Sequence, residues 1–226
     1  MTKVDVTTLR GEPPGNSWSN VRTSPASHAT FILAGYSHAV TDNFSRARRF
    51  TSADELIDHL HVLGSAPSVE LADFTELDHG LQTAVLLLDV APDDHELQIA
   101  GLVHDLAHPW DGPGQPRHAS MGALAVEDLL GKRVADLIRA HVPAKRYLVS
   151  TREEYFGHLS PDSVMTLAAQ GGPMSETEIA EFESQTDWRA MVELRIADDN
   201  AKVAGVRVPS LDSWEPIVRM VAERVR

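Results

Sequence analysis

The sequence contains no cysteine. This excludes disulfides, thiolate metal ligands and a cysteine nucleophile together, and leaves imidazole and carboxylate as the groups able to bind a metal ion. There is no run of about 18 apolar residues, and Met1 to Arg10 lacks a basic-then-apolar pattern. Neither a membrane span nor a secretory signal is therefore expected, and the chain reads as cytoplasmic. Basic charge is scarce: 20 Lys and Arg stand against 33 Asp and Glu, for a formal net charge of −13. A broad nucleic-acid footprint requires a basic face, so nucleic acid is not an expected partner. A small anionic substrate is compatible with the charge, because a few cations in a pocket outweigh a distant acidic surface. Nothing in the sequence fixes the oligomeric state.

With 226 residues, 42% of them hydrophobic, the chain can bury one substantial core. We expect an N-terminal extension over residues 1–66 and one domain over residues 67–226. Residues 10–28 are rich in Pro, Gly, Ser and Asn without an apolar period, as in a loop or tail. Thr30 to His38 is short and β-prone, and Ser52 with Glu55 forms a capping-box pattern that opens a short helix through about His61.

Beyond about Ser68 the pattern is helical. Leu77, Leu81, Val85 and Leu88 recur at three- and four-residue spacing, which puts His79 on a long helix. A second helix is expected from Asp93 as cap to a stop at Pro109, carrying His104, Asp105 and His108. A third runs from His118 to Leu130. Another carries Val134, Leu137, Ile138 and His141 and is expected to end before Pro143. Ser160, Ser175, Asp187 and Asp212 each mark a later helix start. Alternating strands are missing from this stretch, so the expected fold class is all-α.

Five histidines, His79, His104, His108, His118 and His141, fall in or beside these helices among apolar positions. Buried imidazoles need partners, and near the inward aspartates Asp105 and Asp198 metal ions would satisfy all of them at once. Asp105, adjacent to His104, can bridge two cations with its two oxygens, and other helices would supply the remaining ligands. Taken singly, each histidine has a plain structural reading as a hydrogen-bonded residue. His28, His38, His59, His61, His95 and His158 are read that way, or as solvent-facing.

The order His79, His104–Asp105, His118, His141, Asp198 resembles the signature of the HD-domain superfamily, all-α bundles that hold one or two metal ions. The segments ELDHGLQ (76 to 82), LVHDLAHP (102 to 109), HVPAKRYLVS (141 to 150), LSPDS (159 to 163), AQGGPM (169 to 174) and LRIADD (194 to 199) resemble its mixed-valent diiron oxygenase branch. That branch includes inositol oxygenases and phosphonate oxygenases that cleave a carbon–phosphorus bond. The resemblance covers roughly Glu76 to Pro209.

It implies that His79, His104, Asp105 and Asp198 bind one iron and that Asp105 bridges to a second held by His118 and His141. The cofactor implied is an Fe(II)/Fe(III) pair with O2 as co-substrate. His108 matches a substrate-engaging histidine near the second iron, and Lys145, Ser163, Thr166 and Arg195 match residues around the phosphonate. Charged and hydroxyl donors of these kinds suit the three oxygens of such an anion. Two positions depart from the pattern: Val69 and Ala72 stand where aminophosphonate-cleaving members carry a tyrosine and a glutamate. Without that carboxylate an amine would be poorly neutralised, so a different hydroxyphosphonate or another small hydroxylated anion is expected. Tyr36, Asp42 and Asp54 in the extension are candidate replacements. Two other readings stay open, an HD phosphohydrolase with nearly the same ligands and an inert binding protein on the same scaffold.

Overall fold

The computed structural model describes residues 48–65, 73–111 and 117–225. Thr30 to His38, His28, Tyr36, Asp42, Val69 and Ala72 lie outside them. The described residues form helices joined by turns and short 3₁₀ segments, without a sheet. No helix among them is long and apolar enough to cross a membrane.

The first helix, α1 (Ala53–Leu63), begins at Ser52, whose hydroxyl accepts from the Glu55 amide. Only half of the expected box forms, because the Glu55 carboxylate instead accepts from the amide and hydroxyl of Thr51. Next, α2 (Glu76–Val90) carries a complete capping box between Thr75 and Asp78. It is followed by α3 (His95–Val103), capped by Asp94 rather than Asp93. The expected continuation to Pro109 is corrected: α3 ends at Val103, and turn residues lead into the four-residue α4 (His108–Asp111). The chain thus bends where His104 and Asp105 must point together into the core.

Then α5 (His118–Leu130) and α6 (Lys132–Thr151) meet at Gly131, whose φ of 89° is a conformation that favours glycine. The expected end before Pro143 is also corrected, since α6 runs through it. An interior proline costs about 3 kcal/mol. Here buried side chains on both sides, Val134, Leu137 and Ile138 before it and Ala144, Tyr147 and Leu148 after it, offset that cost.

The last four helices are α7 (Pro161–Ala169), α8 (Glu176–Glu183), α9 (Trp188–Asn200) and α10 (Glu215–Glu223). Ser160 and Ser175 cap α7 and α8 as expected. Asp187 and Asp212 make no cap hydrogen bond to α9 or α10. The Asp187 carboxylate accepts from Arg133, which also binds Asp94 and Glu96 and so ties the starts of α3, α6 and α9 together.

One apolar cluster joins all these layers, from Phe50 and Leu56 through Leu87, Ile99, Leu130 and Ile138 to Leu194, Trp214 and Val218. Helix α1 is part of it. His59 on α1 is buried and donates to the Leu106 carbonyl at 3.1 Å, in the turn that holds Asp105, while its ring packs against Phe50 and Trp110.

Candidate metal centre and anion pocket

The centre is built from side chains of α2, α5, α6 and α9 around the turn after α3. His79 and His104 project from α2 and from the end of α3, and their Nδ1 atoms lie 3.0 Å from the Ala201 carbonyl and 2.8 Å from the Gly101 carbonyl. His141 on α6 does the same, with Nδ1 2.7 Å from the Ile138 carbonyl. A carbonyl can only accept, so each of these rings carries a proton on Nδ1 and turns Nε2 inward. Metal-binding histidines are commonly held in this way.

Asp105 sits where those Nε2 atoms converge, and its two oxygens face different partners. Oδ2 lies 3.5 Å from His79 Nε2 and 3.2 Å from His104 Nε2. Oδ1 lies 3.6 Å from His108 Nε2, 3.6 Å from His118 Nε2 and 3.7 Å from His141 Nε2. Asp198 on α9 joins the first set, with Oδ1 3.2 Å from His79 Nε2 and 3.7 Å from His104 Nε2. Ligand atoms of His79, His104, Asp105 and Asp198 lie within 4.8 Å of one another, as do those of Asp105, His108 and His118. Two ligand atoms at about 2.0–2.2 Å from one ion are separated by about 3 Å in cis and at most about 4.4 Å in trans, so the distances of 3.2–3.7 Å between imidazole nitrogens and carboxylate oxygens suit an ion in each group.

The polar atoms at the middle of the cluster need such partners. His79 Nε2, His104 Nε2 and Asp105 Oδ1 are buried without a hydrogen bond. An unsatisfied buried polar atom costs about 1–3 kcal/mol, and three in one cluster would be a large penalty in a structure that needed none of them. His118 Nε2 and His141 Nε2 are only 3.1 Å apart. Two imidazole lone pairs at that distance repel unless a cation or proton lies between them. The donor set, imidazole and carboxylate alone, therefore fits borderline metal ions, with Asp105 facing both groups of ligand atoms.

Electrostatics follow from burial and charge pairing. Burial opposes charge on Asp105, yet His104 and His108 outweigh it and hold the carboxylate well below the ordinary range. Asp198 is likewise lowered against burial, chiefly by Arg195. Burial pushes His141 well below the ordinary imidazole value, and Asp105 offsets this only in part. Both carboxylates and His141 are thus kept in the protonation states that bind metal, whereas Asp105 and Asp198 raise His79 and His104 against burial, so a metal ion there would displace a proton from each ring.

Beside the centre lies a cluster of buried cations and hydroxyls. Lys145 on α6 is buried, with Nζ 3.0 Å from Thr166 Oγ1 and 3.3 Å from the Ser163 carbonyl on α7. Arg195 on α9 reaches Ser163 Oγ at 3.3 Å and Asp198 Oδ2 at 2.8 Å. Lys145, Ser163, Thr166 and Arg195, separated by up to 50 positions in sequence, are thus brought together one layer behind Asp198. The two cations differ in character. Arg195 is surrounded by Asp198, Asp199 and Tyr155, and these carboxylates hold its guanidinium firmly charged against burial. Lys145 has no carboxylate within ion-pair distance among the described residues. Burial first, then the neighbouring Arg195, pushes it down to about 8.

Three site-facing residues carry no sequence signal of their own. Glu76 is buried in the first turn of α2 and accepts from His108 Nδ1 at 3.2 Å. A glutamate there reads as a favourable charge at a helix start, and its partner is 32 positions away. Tyr155 and Asp199 hydrogen-bond each other and clamp Arg195 Nε at 3.1 Å and 3.0 Å. The side histidines behave structurally: His95 approaches Gln98, His158 bonds the Glu154 carbonyl, and His61 faces Glu215.

The HD domain family matches residues 77–169. The chain is 37% identical over 164 residues to a hydroxymethylphosphonate dioxygenase of Gimesia maris, an alignment covering 66% of this chain and 78% of that protein. It is 33% identical over 131 residues to the glycine-betaine-forming 1-hydroxy-2-(trimethylamino)ethylphosphonate dioxygenase of Leisingera caerulea, covering 54% of this chain and 67% of that protein.

Proposed function

The chain belongs to the HD-domain family, and from that premise we propose that it is an O2-dependent diiron oxygenase acting on a small 1-hydroxyphosphonate without an amine. The observation that carries this reading is the two-sided Asp105 carboxylate, with His79 and His104 toward Oδ2, Asp198 beside those two rings, and His118 and His141 toward Oδ1. His79, His104, Asp105 and Asp198 would hold one iron, and Asp105, His118 and His141 the other. A mixed-valent Fe(II)/Fe(III) pair there would supply Lewis acidity toward the substrate oxygens and the electrons that activate dioxygen.

The chain's own residues bind, orient and shield. Lys145 supplies the cation with the fewest competing carboxylates, so it neutralises the phosphonate, while Ser163, Thr166 and Arg195 direct hydrogen bonds to its oxygens. His108 is partly exposed, 32% by side chain, and its Nε2 faces the Oδ1 side of Asp105. It is the group placed to hydrogen-bond the substrate hydroxyl oxygen. Helices α2, α3, α6 and α9 bury the ligand atoms and keep bulk water from them.

The substrate class rests on two supports. Val69 and Ala72 remove the carboxylate and phenol used by aminophosphonate-cleaving members. The Gimesia maris relative is named for hydroxymethylphosphonate, which has no amine. For that compound the balanced reaction consumes one O2 and yields one formate, one phosphate and one proton, with the carbon–phosphorus bond broken and the carbon oxidised. The test is dioxygen uptake and phosphate release by the iron-loaded protein with hydroxymethylphosphonate. One phosphate and one formate per O2 is the expected result. Phosphate release from phosphate monoesters at the same rate with and without O2, and none from the phosphonate, would replace the oxygenase with a phosphohydrolase.

A further inference from the structure

Among the inward histidines, His79, His104 and His141 present Nδ1 to backbone carbonyls of the surrounding helices. His108 differs. It stands on the four-residue α4, and its Nδ1 meets the carboxylate of Glu76 at 3.2 Å, across the gap to α2. The Glu76 side chain is 7% exposed, and among the described residues His108 is its hydrogen-bond partner. Glutamate at a helix start has a bland explanation in the helix dipole, but that role is fulfilled at the surface and does not call for burying the charge. A charged acceptor behind an imidazole holds its ring orientation and selects the tautomer with the proton on Nδ1.

We propose that Glu76 is a positioning residue that acts through His108, fixing the Nδ1–H form and aiming Nε2 at the Oδ1 side of Asp105. The role of His108 toward substrate rests on the oxygenase reading; the placement of its ring by Glu76 does not. A side chain that accepts no hydrogen bond at position 76 leaves the His108 ring free to rotate and to exchange tautomers, with its Nε2 direction lost.

The test uses the full chain in two arms. In the first, Zn(II)-loaded protein with 15N-labelled histidine is studied by long-range 1H–15N correlation, and the His108 signals are assigned by their loss in His108→Ala. The wild type is expected to show a single Nδ1–H pattern. Glu76→Ala is expected to show tautomer averaging, and Glu76→Leu, which fills the space without accepting a hydrogen bond, is expected to do the same if the alanine variant does not fold. An unchanged Nδ1–H pattern in the folded variant overturns the proposal. The second arm measures turnover of hydroxymethylphosphonate by iron-loaded protein. Loss of a supporting partner of this kind costs about 10–100-fold, here expected in kcat with KM little changed. Glu76→Gln, which keeps an acceptor oxygen, should recover most of it, and Glu76→Ala should add nothing in the His108→Ala background. Equal losses in both backgrounds would mean that Glu76 does not act through His108. If the wild type does not turn over the phosphonate at all, the oxygenase reading fails while the first arm still decides the role of Glu76.

Discussion

Substituting Gly80 by alanine isolates how the fold sets the distance between His79 and His104, two of the proposed metal ligands. Gly80 follows His79 on α2 and faces α3, where a Cβ at position 80 would lie 2.3 Å from the Leu102 carbonyl oxygen and 3.3 Å from its carbon. Both obstructing atoms are backbone, two residues before His104, so no side-chain rotation relieves the contact. Ordinary contact requires about 3.4 Å or more, so the two helices must separate by about 1 Å. Helix propensity alone would make the change favourable by about 1 kcal/mol. Overpacking of this kind costs about 1–3 kcal/mol, so the expected net effect is destabilisation of up to about 2 kcal/mol. For a chain of this size that lowers Tm by about 4–8 °C.

The larger consequence falls on the site, where a shift of about 1 Å between His79 and His104 exceeds the roughly 0.2 Å tolerance of a metal–ligand bond. Gly101→Ala is the control. Its Cβ would meet the end of the Leu87 side chain at 2.4 Å and Thr83 Cγ2 at 3.1 Å, groups able to adjust without moving the backbone. Thermal unfolding together with iron retention against a competing chelator reads both effects. Gly80→Ala should lose stability and iron while Gly101→Ala keeps its iron. A Gly80→Ala protein as stable as wild type, with equal iron retention, would refute the close-approach argument.

Other outcomes follow from the same geometry. Asp105→Ala should empty both metal positions, because one carboxylate faces both sets of ligands, whereas Lys145→Ala should keep its iron and weaken binding of an anionic substrate; metal analysis and KM distinguish the two. Lys145 is faced by Arg195 and Lys202, which lower its pKa, and by Asp198 and Asp199, which raise it, with burial the largest influence and a resulting value of about 8. It is charged below that value and neutral above it, so apparent affinity for the phosphonate should fall as pH rises through 8, by about tenfold between pH 7 and 9. Lys145→Gln should abolish that alkaline limb in a KM profile. Tyr155→Phe removes the hydroxyl that binds both Asp199 and Arg195. It should raise KM several-fold while leaving iron content unchanged, since neither Asp199 nor Arg195 is among the proposed metal ligands.

Much of the fold is legible in the sequence because helix starts are encoded locally. The serines at 52, 160 and 175 lie where their hydroxyls accept the amide three residues on, and the apolar spacing around His79 marks the buried face of α2. Ends and bends are encoded by packing across the chain. Pro143 sits inside α6 because buried residues flank it, and the break after Val103 follows from turning His104 and Asp105 inward, which no local preference announces. Asp187 resembles a cap in sequence but spends its charge on Arg133, 54 positions away.

The same distinction holds at the site. The His and Asp positions form an ordered pattern along the chain, and the family resemblance points to Lys145, Ser163, Thr166 and Arg195. Glu76, Tyr155 and Asp199 are common residue types in unremarkable local settings, and their importance arises from partners brought near only by folding. His59 is similar: its spacing suggests an ordinary amphipathic helix, while its ring nitrogen supports the turn that carries Asp105.

The central claim is that Asp105 joins two irons in one coupled centre. It is tested most directly by low-temperature electron paramagnetic resonance on iron-loaded protein partially reduced with ascorbate, with iron quantified per chain. The account predicts two irons per chain and a signal with average g below 2, from an antiferromagnetically coupled Fe(II)/Fe(III) pair, that disappears in Asp105→Ala. A protein fully loaded at one iron per chain, or at two with no coupled signal at any level of reduction, would contradict it.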